Sequence, residues 1–200
     1  LVLLIGLPHI DLFIMSFRAE DELGELAWGF SNYGEFFKET IYWLTFVRTA
    51  AFSLLVTFIT LVIGLPVAFY ITKIVSVKYK GPLTVLILLP FWVSELVRVY
   101  GWMILLRESG GINHFLLKTG ILQQPIEMLY NDATMIMGLV YTTMLFMVVP
   151  LISVLDSLDS EMIEAAFDLG ANSISTLFKI IIPYATPGIV SGSIVVFMLT

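Results

Sequence analysis

The sequence predicts an all-α, polytopic membrane helix bundle, and three observations lead there. Of the 200 residues, 58% are hydrophobic and only 13% are charged, where a soluble domain carries about 25%. The chain therefore lacks the polar groups to coat a water-facing surface of its own size. Thr49–Thr72, Ala133–Leu155 and Ile180–Thr200 run without a charged side chain, and about 20 apolar residues cross a bilayer as helix. These runs are continuous rather than alternating, so they are not barrel strands, and lipid offers no partner to an unpaired backbone. The composition excludes a soluble enzyme and a disordered chain. A formal charge of −6 with ten scattered Lys and Arg leaves no footprint for nucleic acid, and the absence of Cys removes disulfides and thiol chemistry.

Five spans are expected in order: about 1–17, 44–72, 82–106, 133–155 and 181–200. The first is apolar but short, interrupted by His9 and Asp11, and reads as the surviving end of a span. It lacks the basic leader and Ala-x-Ala site of a signal peptide. The third carries two charges, Glu95 and Arg98. Pro66, Pro90, Pro150 and Pro187 fall inside spans, where neighbouring helices can satisfy the freed carbonyls. Gly188 and Gly192, four apart, permit close helix contact. The chain starts at Leu1 and stops at Thr200 inside an apolar run, so continuation at both ends, with at least one further span, is expected.

Charge sets the orientation. Lys73, Lys78 and Lys80 crowd one short linker without an acid, which places 73–81 in the cytoplasm. The 156–180 linker then lies inside, and 18–43 and 107–132 lie outside. The 18–43 linker holds Glu20, Asp21, Glu22, Glu25, Glu35 and Glu39, either a solvated loop or a docking surface for an external partner. In 107–132 a Gly pair precedes 112–119, long enough for a short helix. Trp28, Tyr42, Trp43 and Tyr130 suit an interfacial belt. His9, Asp11 and Arg48 suit span ends, and His114 a solvated loop.

The segment 156–183 reads DSLDSEMIEAAFDLGANSISTLFKIIIP. Asp159 is an N-cap candidate, and Glu161 and Glu164 place negative charge at a helix start, where the dipole favours it. Glu161, Glu164 and Asp168 share one face; Met162, Ala166 and Leu169 share another. Gly170 sits where a left-handed terminating residue belongs. Asn172 or Ser173 can cap a second helix running to Ile182, before Pro183. The predicted unit is helix, glycine turn, helix, with a low-relief surface at Ala165 and Ala166.

Glu164-Ala165-Ala166, then Gly170, then Ile180-Ile181-Ile182-Pro183 resembles the EAA signature of the membrane subunits of bacterial binding-protein-dependent ABC importers. The signature's Leu before Pro is Ile182 here. At average residue usage such a match arises at fewer than about one in a million start positions. The runs Leu89-Pro90-Phe91-Trp92-Val93-Ser94 and Leu96-Val97-Arg98-Val99-Tyr100-Gly101-Trp102, with Gly111-Ile112-Asn113 and Leu129-Tyr130-Asn131, are similar to the spermidine/putrescine permease branch. The likeness covers about residues 82–198.

The resemblance implies a bundle of the importer transmembrane-domain type, with 156–183 as a cytoplasmic coupling segment. Glu164 would contact the ATP-binding subunit, Ala165 and Ala166 would permit close packing, and Gly170 would supply the turn, with Glu161 and Asp168 beside them. It implies two ATP-binding cassette subunits, a second homologous permease subunit, an extracytoplasmic solute-binding protein, and a bacterial inner membrane. ATP and Mg would be used by the partner. This chain has no Gly-x4-Gly-Lys-Ser/Thr loop, and neither a resident cofactor, a metal site nor catalysis of its own is expected.

Charges inside a span mark a functional site by default. Phe91, Glu95, Arg98 and Trp102 follow i, i+4, i+7, i+11 and so share one face of an unbroken helix. A carboxylate among aromatic rings suits an organic ammonium. Equally, Glu95 and Arg98 are i, i+3 neighbours and can neutralise each other. The expected solute is a polyamine; an amino-acid-like solute, another organic cation or iron is the alternative. A secondary transporter or channel explains the spans but not the 164–183 spacing, and inverted repeats are not evident. A membrane-embedded enzyme would need a cluster of His, Asp, Glu or Ser at one depth.

Overall fold

The computed structural model describes residues 2–20 and 26–200, with side chains from 5 to 18 and from 28 to 200. Asp21, Glu22 and Glu25 of the acidic linker, and the side chain of Glu20, lie outside the described residues. The chain forms two compact units, Leu1–Ala51 and Phe52–Thr200.

The first unit holds α1 (Val2–Ser16), β1 (Arg18–Glu20), β2 (Leu26–Trp28) and α2 (Ser31–Lys38). The two strands form an antiparallel ribbon with Arg18 opposite Trp28. The Arg18 guanidinium lies over the Trp28 ring, 4.9 Å from its centroid. Asn32 Nδ2 donates to the Ser16 and Arg18 carbonyls at 3.2 and 2.9 Å, tying the start of α2 to the end of α1. At 15 residues, α1 reaches about 22 Å, short of the roughly 30 Å of a hydrocarbon core. The expected first span is therefore not a full crossing within the described residues.

α3 (Thr40–Phe69) begins in the first unit, ends in the second, and runs into a π-helical turn at Tyr70–Ile74. Its buried stripe is Ser53, Val56, Thr60, Gly64 and Ala68, small residues three or four apart. Lipid is as apolar as a protein core, so helices in it associate by close packing, and small residues allow that. On this stripe the fully buried Thr60 hydroxyl is satisfied within the helix, Oγ1 donating to the Val56 carbonyl at 2.6 Å.

α7 (Asp132–Asp156) is the centre of the second unit, burying Thr143, Met147, Val148, Leu151 and Leu155. A Cβ on Gly64 would sit 3.2 Å from Met147 Cγ and 3.3 Å from Val148 Cγ2, so α3 packs there. On another side lies α10 (Ile182–Leu199). A Cβ on Gly188 would meet the Pro150 carbonyl at 3.0 Å, and one on Gly192 would meet Met147 Cα at 3.2 Å. The Gly188/Gly192 spacing is thus the contact face between α10 and α7.

Among the described residues, Thr40–Ile74, Asp132–Asp156 and Ser173–Leu199 are long and apolar enough to cross a membrane. The expected 82–106 span is broken. α4 (Val77–Trp92) and α5 (Glu95–Leu106) flank an extended Val93–Ser94, and the chain beyond runs at 88° to α4. If that pair is one broken span, the total is four rather than five. Pro90 removes a backbone donor from the last turn of α4, and Val93 closes it by donating to the Pro90 carbonyl at 3.2 Å. Pro66, Pro150 and Pro187 sit inside continuous helices.

Beyond α5, α6 (Gly111–Lys118) is the short helix expected after the Gly pair. Asn113 is completely buried. Its amide donates to the Arg107 and Ile126 carbonyls and accepts from the Ile126 N–H at 2.9 Å, which clasps the 121–131 loop to α6.

Candidate functional site

The 156–183 segment is built as its residues dictate. Asp159 caps α8 (Ser160–Asp168), its carboxylate accepting from the Glu161 N–H at 3.0 Å. At the other end Gly170 takes φ +83°. The Gly170 N–H donates to the Phe167 carbonyl and the Ala171 N–H to the Ala166 carbonyl, at 2.9 and 3.0 Å. That pair of bonds is a Schellman closure, which needs a left-handed residue at position 170. Asn172 caps the next helix, accepting from the Ser175 N–H at 2.8 Å.

The second helix does not stop at Ile182. α9 (Ser173–Thr176), a π-helical turn at Leu177–Ile181 and α10 form one continuous helix from Ser173 to Leu199. Pro183 has no N–H for the carbonyl of residue 179 and crowds it. A widened π turn just before it accommodates the mismatch without a break. The second limb of the elbow, α9, is therefore continuous with α10.

Burial sorts the faces of α8. Ile163 packs on the core and Ala166 is buried. Glu161, Glu164, Ala165 and Asp168 are exposed. Met162 and Leu169, expected on one face with Ala166, are exposed instead, Leu169 at 89%. The inward face is Ile163 and Ala166, i and i+3, and 162 and 169 both fall on the same flank of it, beyond Ala166. The two alanines differ accordingly: Ala166 packs within the chain, and only Ala165 is open to a partner.

The elbow is tied to the body at three points. Tyr184 Oη donates to the Ser157 carbonyl at 3.0 Å. Lys80 pairs with Asp156 at 3.3 Å, and Lys73 Nζ donates to the Leu158 carbonyl. The lysine-rich linker and the elbow are thus at one end of the second unit, as their assignment to one side requires.

The break at Val93–Ser94 rearranges the four residues expected on one face. Phe91 stays on α4 and meets Phe146, ring centroids 6.0 Å apart. Glu95 is the first residue of α5, where the helix dipole favours a carboxylate. Glu95 and Trp102 line one cavity of about 290 Å³ with Met103, Tyr141 and Thr142. Arg98 lines another of about 220 Å³ with Val67, Ile87, Pro90, Tyr141 and Met144. Among the described residues no ion pair joins Glu95 to Arg98. The Arg98 guanidinium instead lies 5.8 Å from the centroid of Tyr141, and Trp102 meets the same ring edge-on at 5.6 Å.

Sequence reasoning missed Tyr141. An uncharged aromatic inside an apolar run carries no signal of its own; only the α5–α7 packing marks it. Among the described residues Arg98 also has a buried Nε without a hydrogen-bond partner.

No family model matches the chain. It is 35% identical over 200 residues to the spermidine/putrescine transport system permease protein PotB of Salmonella typhimurium (strain SL1344), covering 99% of this chain and 69% of that protein. Identity to PotB of Haemophilus influenzae is 36%, with 99% of this chain and 69% of that protein covered. The inner membrane ABC transporter permease protein YdcU of Escherichia coli (strain K12) is 31% identical over 167 residues, 77% of this chain and 53% of that protein.

Proposed function

The chain belongs to the permease subunits of ABC transporters, in the branch of the spermidine/putrescine transport system permeases, and from that premise we propose that it forms half of an alternating-access path for a polyamine. It is a multi-pass membrane protein and a transport subunit. Its partners are a pair of ATP-binding cassette subunits, a second homologous permease subunit and an extracytoplasmic binding protein, in a bacterial inner membrane. ATP and Mg are used by the cassette subunits.

The observation that carries coupling is the elbow: a capped helix closed by Gly170, exposing Glu161, Glu164, Ala165 and Asp168, and continuous through α9 with the last span. Closure of the ATP-binding pair pushes on this lever and rotates the last span against α7. A nucleotide shifts the two access states only through contacts that differ between them, and the exposed face of α8 makes those contacts.

The observation that favours an organic cation is the α4/α5 break. It ends α4 at Trp92, three residues before Glu95, so the negative end of one helix dipole comes close in sequence to a carboxylate. Glu95 and Trp102 face the solute, Arg98 flanks it, and Phe91 lines the wall with Phe146.

The test is ATP-driven uptake by the full complex in proteoliposomes. We expect accumulation of labelled spermidine that excess putrescine suppresses and sulfate or neutral amino acids do not. Accumulation driven by an ion gradient without ATP, or selective for another solute, would refute the proposal.

A further inference from the structure

We infer that Tyr141 is a positioning residue that holds the Arg98 guanidinium away from Glu95, leaving that carboxylate free for a substrate ammonium group. The inference rests on the polyamine reading of this site. Without it the site has an electrostatic flaw. A Glu and an Arg three apart on one helix attract each other, and a neutralised pair has nothing to offer a cation. An Arg free in the path would repel one.

The geometry removes both problems. Tyr141 is common to the walls of the two cavities, one holding Glu95 and the other Arg98. The guanidinium is drawn to its ring, 5.8 Å from the centroid. Trp102 packs edge-on against the same ring at 5.6 Å, which fixes the ring plane. Arg98 Nε is buried with no hydrogen-bond partner among the described residues, so no carboxylate takes that donor. An arginine among Val67, Ile87, Pro90, Met144 and Leu145 would be costly without compensation. A ring face supplies part of it, and cation–π attraction is strongest where water is excluded. One ring thereby separates two opposite charges that the sequence places three residues apart. The phenol oxygen has no part in this, so the aromatic face alone should suffice.

The test is spermidine-dependent transport by the reconstituted complex, comparing Tyr141→Leu, Tyr141→Phe and Glu95→Gln. Removing the ring face frees Arg98 to pair with Glu95. Tyr141→Leu should raise the KM for spermidine about thirtyfold, the size of one desolvated cation–π interaction, with kcat nearly unchanged. Tyr141→Phe should stay within about twofold of the parent. In a Glu95→Gln background, Tyr141→Leu should raise KM no further. If Tyr141→Leu does not assemble, Tyr141→Met keeps the bulk without the ring and takes its place.

Equal effects of Leu and Phe, or a full effect of Leu in the Glu95→Gln background, would overturn the inference and assign Tyr141 to packing. If Glu95→Gln raises KM and Tyr141→Leu does not, the positioning role alone fails. If Glu95→Gln leaves KM unchanged, the cation-site reading fails and takes the inference with it.

Discussion

Single residues carry the chemistry in this chain, and they do so through their partners rather than their type. Asn113 satisfies both the N–H and the carbonyl of Ile126 while fully buried. Asn113→Ala strands both groups and should cost about 1–3 kcal/mol, read as a lower thermal midpoint of the detergent-solubilised complex. Glu164 is exposed on α8, and among the described residues no ion pair or side-chain hydrogen bond ties it to the chain. Glu164→Lys should therefore leave membrane insertion intact. It should lower solute-stimulated ATPase activity about tenfold, the scale of a single charge-assisted hydrogen bond to the partner; unimpaired stimulation would remove the residue from coupling. Glu95 shows how context alters a reading. It looks like a mid-span charge in the sequence but is the first residue of a helix, a position that itself stabilises a carboxylate.

Elements were legible where local rules decide and illegible where packing does. Asp159, Gly170 and Asn172 announce the elbow because capping and left-handed termination are local chemistry, and each takes the role its type predicts. The three long spans follow from charge-free runs. The break at Val93–Ser94 does not, because Pro90 before it looks like the other three span prolines, which continuous helices tolerate, and the charges at Glu95 and Arg98 mark a site without marking a bend. The pairing of Tyr141 with Arg98 and Trp102 is likewise tertiary. The α7–α10 interface depends on glycine: a Cβ at position 192 would already lie 2.8 Å from Met147 Sδ and 3.2 Å from its Cα. Gly192→Val should force the helices apart and cost about 1–3 kcal/mol, measured by thermal unfolding in detergent. The same substitution at Gly138, which has open space around its Cβ position, is the control and should cost less than about 1 kcal/mol.

At the scale of the molecule, orientation and coupling are one question. The Lys80–Asp156 pair and the Lys73–Leu158 bond hold the lysine-rich linker and the elbow at the same end of the second unit. The positive-inside rule assigns that end to the cytoplasm. These 200 residues hold no Cys, so a cysteine introduced among them is the one reporter in this stretch. Ser76→Cys should react with an impermeant maleimide only when the cytoplasmic face is open; labelling from the exterior would invert the topology. Within the elbow, burial separates neighbours: Ala165 is exposed and Ala166 is buried. The decisive measurement is short-range cross-linking of these two positions in the assembled transporter. Ala165→Cys should cross-link to an ATP-binding subunit, with a yield that changes on adding ATP, and Ala166→Cys should not. No adduct from Ala165→Cys in an ATPase-active complex, or one formed only with a partner on the outer side, would contradict the lever on which the proposed transport cycle rests.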